Sequence, residues 1–139
     1  MTKSELAAIL FSVTLLLGIS SCATAPSAPM GEGELRLLSL RVPESGTMVI
    51  GSPYEFSISF EADGHPEIKR VCCYWSGDGP YCYRVINVEY GQPGTIGFGV
   101  KILLSQGGPQ RLECYADYVR EGKGKRTNTA GSYVDSTIH

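Results

Sequence analysis

The chain has 139 residues, with 12 Lys and Arg against 14 Asp and Glu, and a formal net charge of −2 at pH 7. That length holds one domain, and a composition of 42% hydrophobic and 19% charged residues is that of a folding chain rather than a disordered one. The slight acidity excludes broad nucleic-acid binding, which needs surplus Lys and Arg to displace phosphate counterions.

The first element is apolar. Behind "MTKSE" stands "LAAILFSVTLLLGI", which begins after a lysine and is too short to span a hydrocarbon core that requires about 20 residues. This is the order of a secretory signal peptide, residues 1–21. The "ISSC" that follows resembles the lipobox of bacterial lipoproteins, with aliphatic Ile19, small Ser20 and Ser21, and then Cys22. The resemblance implies cleavage before Cys22 and acylation of its thiol and new amino group, so that the mature protein is anchored in a membrane of the cell envelope through that residue. Two or more acyl chains make such anchoring effectively stable. Ala23 after the cysteine, where an Asp would signal otherwise, implies the outer membrane with the domain facing the periplasm. Two alternatives start from the same residues. Cleavage after "ATA" at 23–25 is opposed by Pro26, and an uncleaved membrane helix is opposed by the length and by Ser12 and Thr14.

Residues 22–34 comprise Cys22 and the stretch "ATAPSAPMGEGE", whose Ala, Pro, Ser and Gly show no apolar period and read as a linker. The domain proper is expected over 35–139. Its runs of alternating, β-prone residues are separated by Gly and Pro and predict seven strands: 35–42, 54–62, 68–75, 81–88, 95–104, 110–119 and 130–138. The turn "SGDGP" joins the third to the fourth. "REGKGKRTNT" is expected to form a long glycine-bearing hairpin loop between the last two. Seven short strands with turns at this spacing predict an all-β antiparallel sandwich.

Trp75 on the third strand and Cys114 in "LECYADY" on the penultimate one make the region resemble an immunoglobulin-like domain. It departs from the antibody type in having no cysteine on the second strand and Leu112 where a tyrosine corner would stand. With Cys22 assigned to the lipid, Cys72, Cys73, Cys82 and Cys114 remain. A bridge between adjacent Cys72 and Cys73 would be strained, which leaves two pairings. Alternation along the strand sets Val71, Cys73 and Trp75 on one face and Arg70, Cys72 and Tyr74 on the other. On the sixth strand, Leu112, Cys114 and Ala116 likewise form an apolar face. In an immunoglobulin-like order these two strands are neighbours, which implies Cys73–Cys114 towards the core and Cys72–Cys82 on the outer face, over the alternative pairing of Cys72 with Cys114. The spacing lacks the paired C-x-x-C knuckles of a structural zinc site and the C-x-x-C of a thiol-redox site.

No catalytic constellation is expected: His65 and His139 have no nucleophile at motif spacing, and no cofactor is implied. Asp63, Glu67 and Asp78 lie in turn sequences and would hold calcium only if other oxygens converged on them. Two surfaces are candidates for binding. One is the outer sheet face of the third, fourth, sixth and seventh strands, with Arg70, Tyr74, Arg84, Tyr115 and Asp117; Tyr and Arg are enriched at interaction hot spots. The other is the basic loop with Arg120, Lys123, Lys125 and Arg126, whose charge suits acidic headgroups or an acidic protein. The resulting expectation is a lipid-anchored, non-enzymatic binding or assembly module whose partner is an envelope protein or glycan. The alternative is a carbohydrate or cell-wall binder, or an inhibitor of a wall-degrading enzyme, for which the aromatics near the hairpin, Trp75, Tyr81 and Tyr83, suit sugar stacking, although Trp75 is the one expected in the core.

Overall fold

The computed structural model describes residues 28–44, 47–102 and 107–137. The signal segment 1–21, Cys22, His139 and the ends of the strands expected to reach 104 and 138 lie outside these residues. The described chain forms nine strands: β1 (Leu35–Arg41), β2 (Met48–Val49), β3 (Pro53–Ala62), β4 (Glu67–Trp75), β5 (Asp78–Glu89), β6 (Gly94–Lys101), β7 (Gly108–Arg120), β8 (Lys123–Arg126) and β9 (Ala130–Thr137). Each of the seven expected runs is a strand; β2 and β8 are additional.

The fold is a sandwich of the immunoglobulin-like kind. One layer is ordered β1-β3-β6-β5 and the other β5-β4-β7-β9-β2, with β8 paired to the end of β7. β5 belongs to both layers: Tyr81–Arg84 pair with β4, and Val85–Glu89 pair with β6 after a register shift between Val85 and Asn87. The alternation visible in the sequence sets what lies between the layers. Phe56, Ile58 and Phe60 of β3 and Ile96, Phe98 and Val100 of β6 are buried, and across from them lie Val71, Cys73 and Trp75 of β4 and Leu112, Cys114 and Ala116 of β7. Phe56 is stacked on Phe98 with ring centroids 5.8 Å apart and meets Trp75 edge-on at 6.2 Å, which ties the two layers through one aromatic cluster.

Two turns are tighter than expected. Trp75 pairs with Asp78, so only Ser76 and Gly77, both at positive φ (48° and 88°), form the β4–β5 turn. The "SGDGP" stretch is therefore half strand. Likewise Arg120 pairs with Lys123 around Glu121 and Gly122, at φ 51° and 71°. Two consecutive residues at positive φ give the hairpin turn whose twist matches paired strands. The expected long loop is thus a two-residue turn followed by β8. Pattern reading overlooks such a strand because Lys and Gly are poor β formers, yet lysines are common on edge strands, where they discourage pairing with another chain.

The layers are also tied at their free edge. Asn128, just before β9, accepts a hydrogen bond from the Leu37 N–H at 2.9 Å and donates to the Leu37 carbonyl at 2.8 Å. One side-chain amide thereby stands in for a neighbouring strand at the point where β1 changes register. The segment leading into β1 lies against the same end of the sandwich. The Gly33 N–H donates to Asp63 (2.9 Å), and the Ala28 carbonyl accepts from Arg36 (3.0 Å). Arg120 covers this turn so closely that a β-carbon at Gly31 would meet its Nη2 at 2.7 Å.

Candidate functional site

The cysteines form Cys73–Cys114 and Cys72–Cys82 bridges, the pairing that the immunoglobulin-like order implied. Cys73 and Cys114 are directly opposed in the β4–β7 register and lie in the core. Cys72 faces the other way, towards Cys82 and Tyr115, and stands outside the core cluster. It is not open to solvent as an outer-face residue would be: its exposure is 0%, and that of Tyr115 is 3%. Arg126 lies over the Tyr115 ring with its guanidinium carbon 4.0 Å from the centroid, and Tyr74 flanks the ring at 6.2 Å. A cation on an aromatic face is attracted by the ring quadrupole. The bridge and Tyr115 therefore form a floor that fixes what stands on it.

Next to this floor, register lines up four side chains across four strands. Arg84 of β5 opposes Arg70 of β4, Arg70 opposes Asp117 of β7, and Asp117 opposes Arg126 of β8. Asp117 accepts from Arg70 Nε at 2.9 Å on one carboxylate oxygen and from Arg126 Nε at 3.2 Å on the other. That hydrogen bond is the main influence holding the Arg126 guanidinium above its already high usual range. More than half of each of these two arginine side chains stays exposed. Arg84 is exposed and has no charged partner among the described residues. Like charges directly opposed on neighbouring strands are destabilising. Three guanidiniums share this row with one carboxylate, which leaves uncompensated positive charge at this place.

A shallow groove of about 690 Å³ borders the row, lined by Lys69, Arg70, Asp117, Val119, Lys125 and Arg126 among others. Gly124 lies opposite Val119, so no side chain of β8 fills the space there. Lys69 was not a candidate from sequence. It sits where the β4–β7 register shifts between Ile68 and Arg70, and is paired with Glu67.

The two surfaces proposed from sequence therefore meet, but only in part. Arg126 of the basic segment joins Arg70 and Arg84 of the tyrosine and arginine face. Alternation along β8 assigns Lys125 to the side of Tyr118 and Lys123 to that of Arg120, opposite to Arg126. The four cations do not form one cluster. Tyr133, at 72% the most exposed large hydrophobic side chain among the described residues, lies opposite Arg111 at the far end of this sheet and was missed because nothing in its local sequence sets it apart.

The other candidates do not assemble. Trp75 is in the core and donates through Nε1 to the Tyr83 hydroxyl at 3.1 Å; burial pushes the Tyr83 phenol above its usual range. Tyr81 instead donates to Asp78 at 2.7 Å, which raises its own phenol. The three aromatics thus form no common stacking platform. Asp63, Glu67 and Asp78 are engaged by Gly33, Lys69 and Tyr81, and no group of three metal-ligating side chains occurs among the described residues. The His65 ring rests against Tyr90, centroids 4.6 Å apart.

The sequence matches no protein-family model and no curated protein. Solved structures similar to this one include the CARDB domain of a Pyrococcus furiosus protein, with 12% identity over 79% of this chain and 95% of that one and a TM-score of 0.43. Another is a cohesin module of a family 33 glycoside hydrolase from Clostridium perfringens, with 9% identity over 79% of this chain and all of that one and a TM-score of 0.36. Neither likeness assigns a ligand to this chain.

Proposed function

We propose that the protein is a non-enzymatic binding module, held at a membrane of the cell envelope through acylated Cys22, that engages an anionic group of another envelope component with the outer face of the β5-β4-β7-β8 sheet. The observation that carries the reading is the Arg84-Arg70-Asp117-Arg126 row, whose positive charge exceeds what its one carboxylate neutralises. Arginine suits this task because its planar fork stays charged and offers paired donors to carboxylate or phosphate. Anchoring is supported by the "ISSC" sequence behind the apolar run. Placement at the outer membrane, facing the periplasm, rests on Ala23. The wall-binding alternative has no aromatic platform to favour it.

The test is crosslinking in intact cells that produce the full chain, comparing wild type with the Arg84→Glu, Arg126→Glu double variant. The expected outcome is an adduct, of whatever chemical class, that is present in wild type and lost in the variant, with both proteins in the membrane fraction and an acylated N-terminal Cys22 peptide by mass spectrometry. Identical adducts from the two proteins would remove the row from the function. A Cys22 peptide without acyl chains would remove the anchor.

A further inference from the structure

The groove and Ala28, the first described residue, share one end of the molecule. Ala28 is bonded to Arg36 at the start of β1, and the turn that follows lies beneath Arg120 at the end of β7. The groove is lined by Val119, Gly124 and Lys125, which flank the β7–β8 turn at this same end. Six peptide bonds separate Cys22 from Ala28, a reach of about 20 Å at full extension. A domain tethered at Cys22 would hold Ala28, and with it this end of the sandwich, close to the bilayer surface.

Charge at this end is divided between the layers. Glu34 and Glu61 lie on the β1–β3 side, paired with Arg36. The β4-β7-β8 side carries Lys69, Arg70 and Arg126 facing the groove, against Asp117 and Glu67. The acidic side would be repelled and the basic side attracted by an anionic surface, so such a surface would turn the groove towards itself.

Resting on the anchored-module reading, we infer that the arginine row takes the phosphate of an anionic lipid headgroup in the membrane that carries the anchor. The headgroup phosphate would lie between Arg84 and Arg70, whose mutual repulsion it relieves, while Asp117 keeps Arg70 and Arg126 oriented by their Nε atoms. The row would then act as a second membrane contact that sets the orientation of the domain. Basic residues near an anionic bilayer gain most within a Debye length of it, about 8 Å at physiological ionic strength, which lies inside the reach of the tether.

The test uses the full-length protein reconstituted in vesicles of phosphatidylcholine, alone or with phosphatidylglycerol, and follows phenylglyoxal modification of each arginine by peptide mass spectrometry. Arg41 and Arg111 serve as internal references, since neither stands in the row or lines the groove. Modification of Arg70, Arg84 and Arg126 is expected to slow about fivefold with phosphatidylglycerol, with the references unchanged. Arg84→Gln should bring the effect at Arg70 and Arg126 below about twofold. Equal rates in the two vesicle types would overturn the inference. So would equal protection by soluble glycerol phosphate added to phosphatidylcholine vesicles, which would assign the row to a free anion. Protection that appears only with added envelope protein would assign it to a protein partner. The last two outcomes leave the anionic-partner reading standing, whereas a missing Cys22 acyl group fails the anchor part of the proposed function and leaves the protection data to be read by themselves.

Discussion

The two faces of the β4–β7 pair are built from alternate residues of the same two strands and do opposite work. Inward, Val71, Cys73 and Trp75 meet Leu112, Cys114 and Ala116 in a core without a charged group. Outward, Arg70, Cys72 and Tyr74 meet Glu113, Tyr115 and Asp117. Each face has its own disulfide. The inner one lies wholly among buried side chains, whereas the outer joins buried Cys72 to exposed Cys82 on β5. The difference teaches that a covalent link can serve a surface as well as a core: on the outer face it helps hold a floor on which charged groups keep a fixed register.

The largest expected effect sharpens this contrast. Replacing Cys73 and Cys114 together with Ala opens a loop of 41 residues and should cost about 4 kcal/mol on the chain-entropy argument, with a further penalty for the cavity left in the core. Replacing Cys72 and Cys82 opens a loop of 10 residues and should cost about 3 kcal/mol. Urea unfolding of the two variants measures both. If the outer bridge proved the costlier one, the division between core staple and surface support would be wrong. The outer variant should also lose the protection of Arg70 and Arg126 by anionic lipid while remaining folded.

A smaller effect separates charge from packing on the outer face. Asp117→Asn keeps the side-chain shape but leaves Arg70 and Arg126 without their carboxylate. Stability should fall by about 1 kcal/mol, as expected for surface ion pairs, while affinity for the anionic ligand rises. A variant that lost both stability and ligand affinity would show that Asp117 orients the arginines more than it offsets their charge.

The smallest effect belongs to the inner side. Burial raises the phenol of Tyr83, which packs against the core, so the folded state favours its neutral form. The sign follows directly. Below about pH 10 both the folded and unfolded chains hold the proton and stability does not depend on it; above that the unfolded chain releases it first and stability declines. The urea midpoint should therefore drop between pH 9 and pH 11. In Tyr83→Phe the drop should be shallower, from a slightly lower starting value, since the Trp75 N–H loses its acceptor. An unchanged slope would mean that Tyr83 is more open to solvent than its place beside Phe98 implies.

Much of the fold was legible because strand alternation is a local property. Phe56, Ile58 and Phe60, and the contrasting fates of Cys72 and Cys73, can be read along one strand without knowing its neighbours. The β8 strand was not legible in this way: "KGKR" has no apolar alternation, and it is a strand only because β7 offers it an edge through a two-residue turn. The candidate site was legible as residue types but not as an arrangement. Arg70, Arg84 and Arg126 were each singled out, yet assigned to two different surfaces.

By itself the sequence determined the all-β class, the apolar faces and the list of groups able to bind an anion, because composition and period two are carried within each strand. Tertiary structure alone decided that Arg84, Arg70, Asp117 and Arg126 stand in one line and that Cys72 is covered by Tyr115. Both depend on the register between strands distant in sequence, which turns, bulges and cross-strand packing set together and no single strand encodes.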